Sequence, residues 1–287
     1  MINTHLRPLG LYAYKAYIAN EFLARGLLRK IRWPLGITCP RCKSRSIWKM
    51  QGDYRCQQCH HHFSDISGTI FEKSHLKISQ WIIIIGLWKV GVNAVGVSWA
   101  IGCSYRIARF ALRKIRTAVA NDPLVQSLSG EIEVDETYYG GRQKGQRGRG
   151  AKNKMAVVGF KERGGRVKSV VVPNVSHWAL EAVIKKYADD GSTIYTDGFR
   201  SYNDLKALGY NHVPFDHSVN FIKSDIIHTQ GIEGYWGNTK PITKAKHRRI
   251  TKKSLPGYMA ENDYKANHKE FPDFISLILY KLLIFYP

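Results

Sequence analysis

Acid is scarce in this sequence beside base. Its 287 residues hold 22 Asp and Glu against 44 Lys and Arg, a formal net charge of +22. Such a chain repels its own copies and attracts polyanions, so nucleic acid is the first partner to consider, although charge alone also suits a ribosomal or membrane-surface protein. Unbroken apolar length is missing as well. The run from Trp81 to Cys103, WIIIIGLWKVGVNAVGVSWAIGC, approaches a membrane span, but Lys89, Asn93, Ser98 and internal glycines interrupt it, which favours a pair of buried helices. No signal-peptide pattern opens the chain, since Arg7, Lys15 and Glu21 break any apolar core. Cysteine is scarce too: five in all, four of them in two tight pairs. In an unexported chain such pairs are metal ligands before they are disulfides, and we expect a cytoplasmic protein with no membrane partner.

What is present is enough for a core, with 44% hydrophobic and 12% aromatic residues. Residues 1–36 read as an N-terminal helical segment, with Leu23, Leu27, Leu28 and Ile31 at helical spacing and Pro34 as the stop. Residues 37–73 carry the cysteine pairs, and residues 74–122 read as helices. From 128 to 287 strands alternate with helices, the pattern of an α/β domain. Strands are expected at 132–140, 154–162, 166–175 and 192–198, and helices at 176–189, from Ile232 onward, and at 254–268. Three strands, a helix and a further strand is the order of a ribonuclease-H-like sheet, an order other α/β folds share. The apolar stretch FISLILYKLLIFYP (274–287) reads as a closing helix, packed on that core or on a second subunit.

Cys39-Pro-Arg-Cys42 and Cys56-Gln-Gln-Cys59 are CxxC pairs separated by 13 residues. Each can present two thiolates on a tight turn, and together they close a tetrahedral site for structural Zn²⁺ with no open position for substrate. His60, His61 and His62 follow and could also ligate. Downstream, Asn93 to Ala100 and Ser104 to Val119 fit two helices joined near Gly102, with Asn93 and Ser104 as caps and Cys103 buried in the turn. The second would carry Arg106, Arg109 and Arg113, which suits a basic recognition helix of a helix-turn-helix and equally a plain helical hairpin with a solvated face.

The scarce acids gather where they are costly. Glu133 and Asp135 share one face of an apolar strand and Glu136 takes the other, a placement that burial penalises unless a cation is near. Asp197 ends another strand in Thr196-Asp197-Gly198, and Glu233 opens a helix in HTQGIEGYWGNTK (228–240). If Asp135, Asp197 and Glu233 converge, they could hold two Mg²⁺ or Mn²⁺ ions roughly 4 Å apart, the arrangement for phosphodiester chemistry. Asp197 is also compatible with a simple turn and Glu233 with a helix-dipole role. Lys240, two helical turns beyond Glu233, would share its face and reach a DNA phosphate. Basic runs flank these acids: Arg142, Lys144, Arg147 and Arg149 in the first, Lys244, Lys246, Arg248 and Arg249 in the second.

Across nearly its whole length the chain resembles the IS1595-type (ISXO2-like) insertion-sequence transposases. The likeness rests on RWPLGITCPRC (32–42), YRCQQCHHHFSDISGTIFEKSHL (54–76), VDETYYGG (134–141), YTDGFRSY (195–202), HTQGIEGYWGNTK (228–240) and ITKKSLPGYMAENDYKANH (250–268). It implies a ribonuclease-H-like DDE catalytic domain behind a zinc ribbon and a helix-turn-helix-like segment. By the same likeness Asp135, Asp197 and Glu233 would ligate the catalytic metal, with Lys240 beside them. The substrates implied are double-stranded transposon terminal repeats and target DNA, handled by a homo-oligomer. Gln230 stands where family members commonly have Asn, and Glu133 or Glu136 lies close enough to Asp135 to assist or replace Glu233. A DNA-binding regulator that has lost catalysis, and a related endonuclease that cuts without joining, remain as alternatives.

Overall fold

The computed structural model describes residues 10–50, 52–140, 154–215, 229–247 and 250–284. They form two compact units, Met1–Val119 with His268–Pro287, and Ala120–Asn267.

In the first unit, helices α1 (Lys15–Ala19) and α2 (Glu21–Arg32) lead into a three-stranded antiparallel sheet of β1 (Ile47–Lys49), β2 (Tyr54–Cys56) and β3 (His62–Phe63). The Asn20 side chain caps α2 by accepting from Phe22 N and Leu23 N, and cations fill its last turn, as the helix dipole favours. Asp65, almost fully buried, ties α2 to the ribbon: the Arg29 guanidinium donates to both its oxygens at 2.8 Å, and the Tyr54 hydroxyl donates at 2.7 Å. The helical segment and the cysteine ribbon, expected as separate pieces, therefore pack as one body.

The apolar run becomes α3 (Ile78–Lys89) and α4 (Ala94–Ile101), followed by α5 (Tyr105–Val119). Most of α3 is buried, including Trp81, Ile82, Ile84, Ile85 and Trp88, and no residue of the helix is exposed. A helix apolar all round belongs in the middle of a protein core, and no helix among the described residues is long and apolar enough to cross a membrane. Asn93 caps α4, and Gly102, at φ +65°, ends it. Cys103 is only half-buried, its thiol donating to Ser104 O, so it does not plug the turn as expected. The last helix, α9 (Phe274–Ile284), packs on α2, α3 and α5, with Phe274 stacked on Trp88 at 5.9 Å. The expected catalytic domain of 128–287 thus ends near Asn267, because an apolar closing helix does not itself encode which core it closes.

The second unit is built on a five-stranded sheet of β4 (Glu131–Tyr139), β5 (Met155–Glu162), β6 (Val167–Val172), β7 (Thr193–Asp197) and β8 (Asn211–Phe215), in the order β6-β5-β4-β7-β8. The first three form an antiparallel meander, and β7 and β8 run parallel to β4. Helix α6 (His177–Tyr187) makes the crossover to β7 and covers one face with Leu180 and Ile184. Ser176 stands at its N-cap position without a side-chain capping bond. Helices α7 (Gln230–Lys246) and α8 (Leu255–Asn267) cover the other face through Ile232, Tyr235, Trp236, Leu255 and Met259. Strand order and directions are those of a ribonuclease-H-like sheet. Strand β8 was not foreseen: it is short and carries Pro214, which a sheet tolerates at an edge and which masks the strand pattern.

Candidate functional site

The four cysteines of the two pairs come together at the first unit's sheet. Their sulfurs lie within 4.8 Å of one another, with Cys39 to Cys59 at 3.6 Å and Cys42 to Cys56 at 3.5 Å. A tetrahedron with roughly 2.3 Å zinc–sulfur bonds has edges of about 3.8 Å, so the donor set fits Zn²⁺ in type and spacing. The two turns match. Lys43 and His60, each directly after the second cysteine of its pair, are left-handed at φ 63° and 56°. Lys43 N donates to Cys39 O at 2.9 Å and His60 N to Cys56 O at 3.0 Å. The Cys59 N–H donates to Cys56 Sγ and holds that thiol down to about 6, favouring the thiolate a metal needs. None of the three histidines belongs to this cluster; His61 stacks on Phe63. Among the described residues the ribbon's own core is Cys39, Tyr54, Cys56 and Phe63, with Trp33, Ile37, Ile47 and Cys59 against it, a small core for which bound metal would supply much of the folding energy.

The acids converge in the second unit. Glu133 on β4 pairs with Tyr195 on β7, so two residues further along Asp135 and Asp197 stand side by side on one face. Asp135, Glu136 and Asp197 each offer an oxygen within 4.8 Å of the others. Glu136 leaves β4 toward the opposite face, but β7 ends at Asp197, and beyond it no strand separates the faces on that side. Buried Tyr202 donates its hydroxyl to Glu136. Burial, and then the charges of Glu136, Asp197 and Glu233, push Asp135 up to about 7 from 3.8. Negative charge gathered around a buried carboxyl makes its position one where a cation is favoured. An all-oxygen carboxylate set is what a hard divalent cation prefers, so these residues fit Mg²⁺ or Mn²⁺.

Glu233 is near enough to raise Asp135 but lies outside the 4.8 Å group. It is exposed in the first turn of α7, accepting from the Thr229 hydroxyl at 2.8 Å. Lys240, two turns on, donates at 2.8 Å to Thr137 Oγ1, which shares the Asp135 face of β4. Its pKa is lowered by burial and by Lys244 and Lys154, against the pull of Asp135.

Two residues that set this geometry were not singled out by the sequence for the part they play. Glu133 is buried and occupied: Ile232 N donates to its Oε2 at 2.9 Å and Arg163 Nε lies 3.5 Å from its Oε1. It holds the N-terminus of α7 and is not part of the acid cluster. Gly159, opposite Asp135 on β5, lets α7 reach the sheet, since a Cβ there would fall 2.3 Å from Trp236 Cζ2 and 2.7 Å from Ile232 Cδ1. Of the expected DNA-contacting residues, Arg106, Arg109 and Arg113 are exposed along one face of α5, Lys244 is exposed and Lys246 half-buried in the last turn of α7. Arg142, Lys144, Arg147, Arg149, Arg248 and Arg249 lie outside the described residues.

Comparison with known proteins matches both halves of this picture. A family described as the ISXO2-like transposase domain matches residues 127–267, and the transposase zinc-ribbon domain matches residues 19–62. An uncharacterized protein in transposable element ISH50 of Halobacterium salinarum is 28% identical, covering 82% of this chain and 83% of that one. An uncharacterized transposase-like protein of Haemophilus influenzae is 31% identical, over 39% of this chain and 90% of its own length. Among solved structures, a chain of the Mos1 strand transfer complex aligns at 12% identity and a TM-score of 0.27, covering 68% of this chain and 75% of that one, a likeness too weak to bear on the site.

Proposed function

The chain belongs to the ISXO2-like transposases, and from that premise we propose that it cleaves the ends of a transposable element and joins them to target DNA by divalent-metal-dependent phosphoryl transfer. The observation that carries the reading is the meeting of Asp135, Glu136 and Asp197, whose oxygens lie within 4.8 Å of one another, in a chain of net charge +22. Asp135, Asp197 and Glu233 would hold the cations, with Lys240 reaching a phosphate near the reacting one. Bound divalent metal would supply activation of the attacking oxygen and neutralisation of charge on the leaving one.

The chain's own residues set the rest. Glu133 and Gly159 fix α7, the helix that carries Glu233 and Lys240, against the sheet. The basic last turn of α7 would meet the backbone of a duplex whose charge would otherwise be repelled by the acids. In the first step water's oxygen bonds to phosphorus, the P–O3′ bond breaks and the element's end is left as a 3′-hydroxyl. In the second, that hydroxyl's oxygen bonds to a target phosphorus and displaces the target's own 3′-oxygen, so no covalent link to the protein is needed. The four-thiolate ribbon would carry Zn²⁺ in a structural role, and the enzyme would act in the cytoplasm as a homo-oligomer on paired ends.

Asp135→Asn and Asp197→Asn each remove a charged ligand while keeping shape. On duplex carrying the element's terminal repeat, with Mg²⁺ or Mn²⁺, both variants are expected to lose strand cleavage and transfer by at least a hundredfold, on the order of a lost metal ligand, while binding the same duplex as the parent does. Full cleavage by either variant overturns the assignment, and cleavage without joining in the parent reduces it to an endonuclease.

A further inference from the structure

The ribbon unit contains a second place suited to DNA, separate from the acids and from α5. Between α2 and β1 lies an open cleft of about 340 Å³. Strand alternation puts Ile47 and Lys49 on one side of β1, and both line the cleft together with Arg45 from the segment before the strand. From the other wall come Arg29, Lys30 and Trp33, one turn of α2 and its C-cap. Four cations therefore border the cleft, and no acidic residue does.

Arg29 is already neutralised, since both oxygens of Asp65 take its guanidinium. Lys30, Arg45 and Lys49 make no ion pair with any described residue, and all three are exposed. Like charges gathered around one cleft repel one another unless an anion comes between them. The floor is apolar, formed by Trp33, Ile37 and Ile47. Trp33 is held edge-on by Tyr54 and Phe63, with Arg32 stacked 4.5 Å over its ring, and the strand behind it is pinned by the thiolate centre. A free anion would use the charges and leave the floor in water. A nucleic-acid backbone uses both, with phosphates on the cations and sugar on the aromatic and aliphatic surface.

We propose that this cleft is a DNA-backbone site by which the ribbon unit grips duplex independently of sequence. The inference rests on reading the chain as a DNA-acting transposase, and it deepens that reading by assigning a grip to residues outside the catalytic unit.

The test uses the full-length, zinc-loaded protein and a short fluorescein-labelled duplex of arbitrary sequence, with anisotropy followed between roughly 50 and 200 mM salt. Lys30→Glu with Lys49→Glu is compared with Arg41→Glu with Lys73→Glu, and Arg45→Glu alone with Lys73→Glu alone, equal charge reversals at exposed positions of the same unit that do not line the cleft. Zinc content and far-ultraviolet circular dichroism confirm that every variant is folded. The cleft variants are expected to bind at least tenfold more weakly and to lower the salt slope by about one for each phosphate no longer neutralised, with the controls within about threefold of the parent. Unchanged binding in the cleft variants, or equal weakening in the controls, overturns the proposal. The underlying reading fails separately. If the parent does not cleave but its duplex binding depends on the cleft, catalysis is wrong and the grip stands. If the parent cleaves and the cleft variants bind normally, the grip alone is wrong.

Discussion

Asp263 is enclosed on all sides by the second unit, yet donors reach both its oxygens: Ser169 N and Ser169 Oγ at 2.7 Å, and the Tyr235 hydroxyl. One carboxylate thereby joins α8 to β6 and to α7, two residues from Glu233. Burial outweighs the donors, and its pKa is pushed up to about 6 from 3.8. The folded state then binds more protons than the unfolded one between those values, so this group makes stability fall as pH rises from about 4 to about 6, with no further change above. In Asp263→Asn the group no longer titrates. Relative to the parent, the variant's melting temperature is expected to climb across that window and level off beyond it. Asp263→Ala strands three donors and should cost on the order of 2–4 kcal/mol throughout. Parallel melting curves against pH for parent and Asn variant would refute the argument. The contrast with Asp135 shows what single residues reveal. Asp135 is conspicuous in the sequence because it sits in an apolar strand, whereas Asp263 lies among the polar residues of AENDYKAN (260–267), and only its tertiary surroundings single it out.

Elements carry their own information, and the docking of α7 shows its limits. Alternation along β4 places Asp135 with Glu133, and the residues from Ile232 onward read as the helix bearing Glu233. How near that helix comes to the sheet depends on Gly159, a residue of another strand whose only sequence signal is a missing side chain in an apolar run. Glycine inside a strand commonly marks close approach by another part of the chain, so the signal existed, but nothing in it named Trp236 and Ile232 as the neighbours. Gly159→Ala forces the ring and the aliphatic tip away from the sheet and carries Glu233, which lies between them in sequence, off its position. Overpacking of this kind costs roughly 1–3 kcal/mol. The expected outcome is a lower denaturation midpoint together with reduced strand cleavage, while Asp135→Asn loses cleavage without that drop in stability. A Gly159→Ala protein with parental cleavage would mean that Glu233 is not held by this packing. Strand β8 was missed for a related reason: an edge strand needs few apolar residues and can carry proline, so its pattern is faint.

At the scale of the whole molecule, the chain returns after Asn267 to the unit it began with. Apolar spacing made residues 274–287 a helix in search of a core, and two cores were on offer. The choice follows from partners spread far along the chain. Phe274 stacks on Trp88, Tyr14 donates its hydroxyl to Asp273, and Phe274, Ile275, Ile278, Leu279 and Leu282 are buried. The second unit needs none of them, because the residues of its two apolar clusters all lie between Val125 and Ala266. A chain ending at Asn267 is therefore expected to melt in two separated transitions. The one reporting Trp88 and its neighbours should fall sharply or vanish, since five large buried side chains are worth on the order of 10 kcal/mol at roughly 1.5–3 kcal/mol each. The other should stay near the parental temperature and keep its β-sheet signal. Divalent-metal binding by the acid cluster should survive in this truncated protein even as duplex binding weakens with the loss of the ribbon unit's surfaces. Disappearance of both transitions together would show that α9 serves the ribonuclease-H-like core as well, and would return the boundary to where the sequence alone had put it.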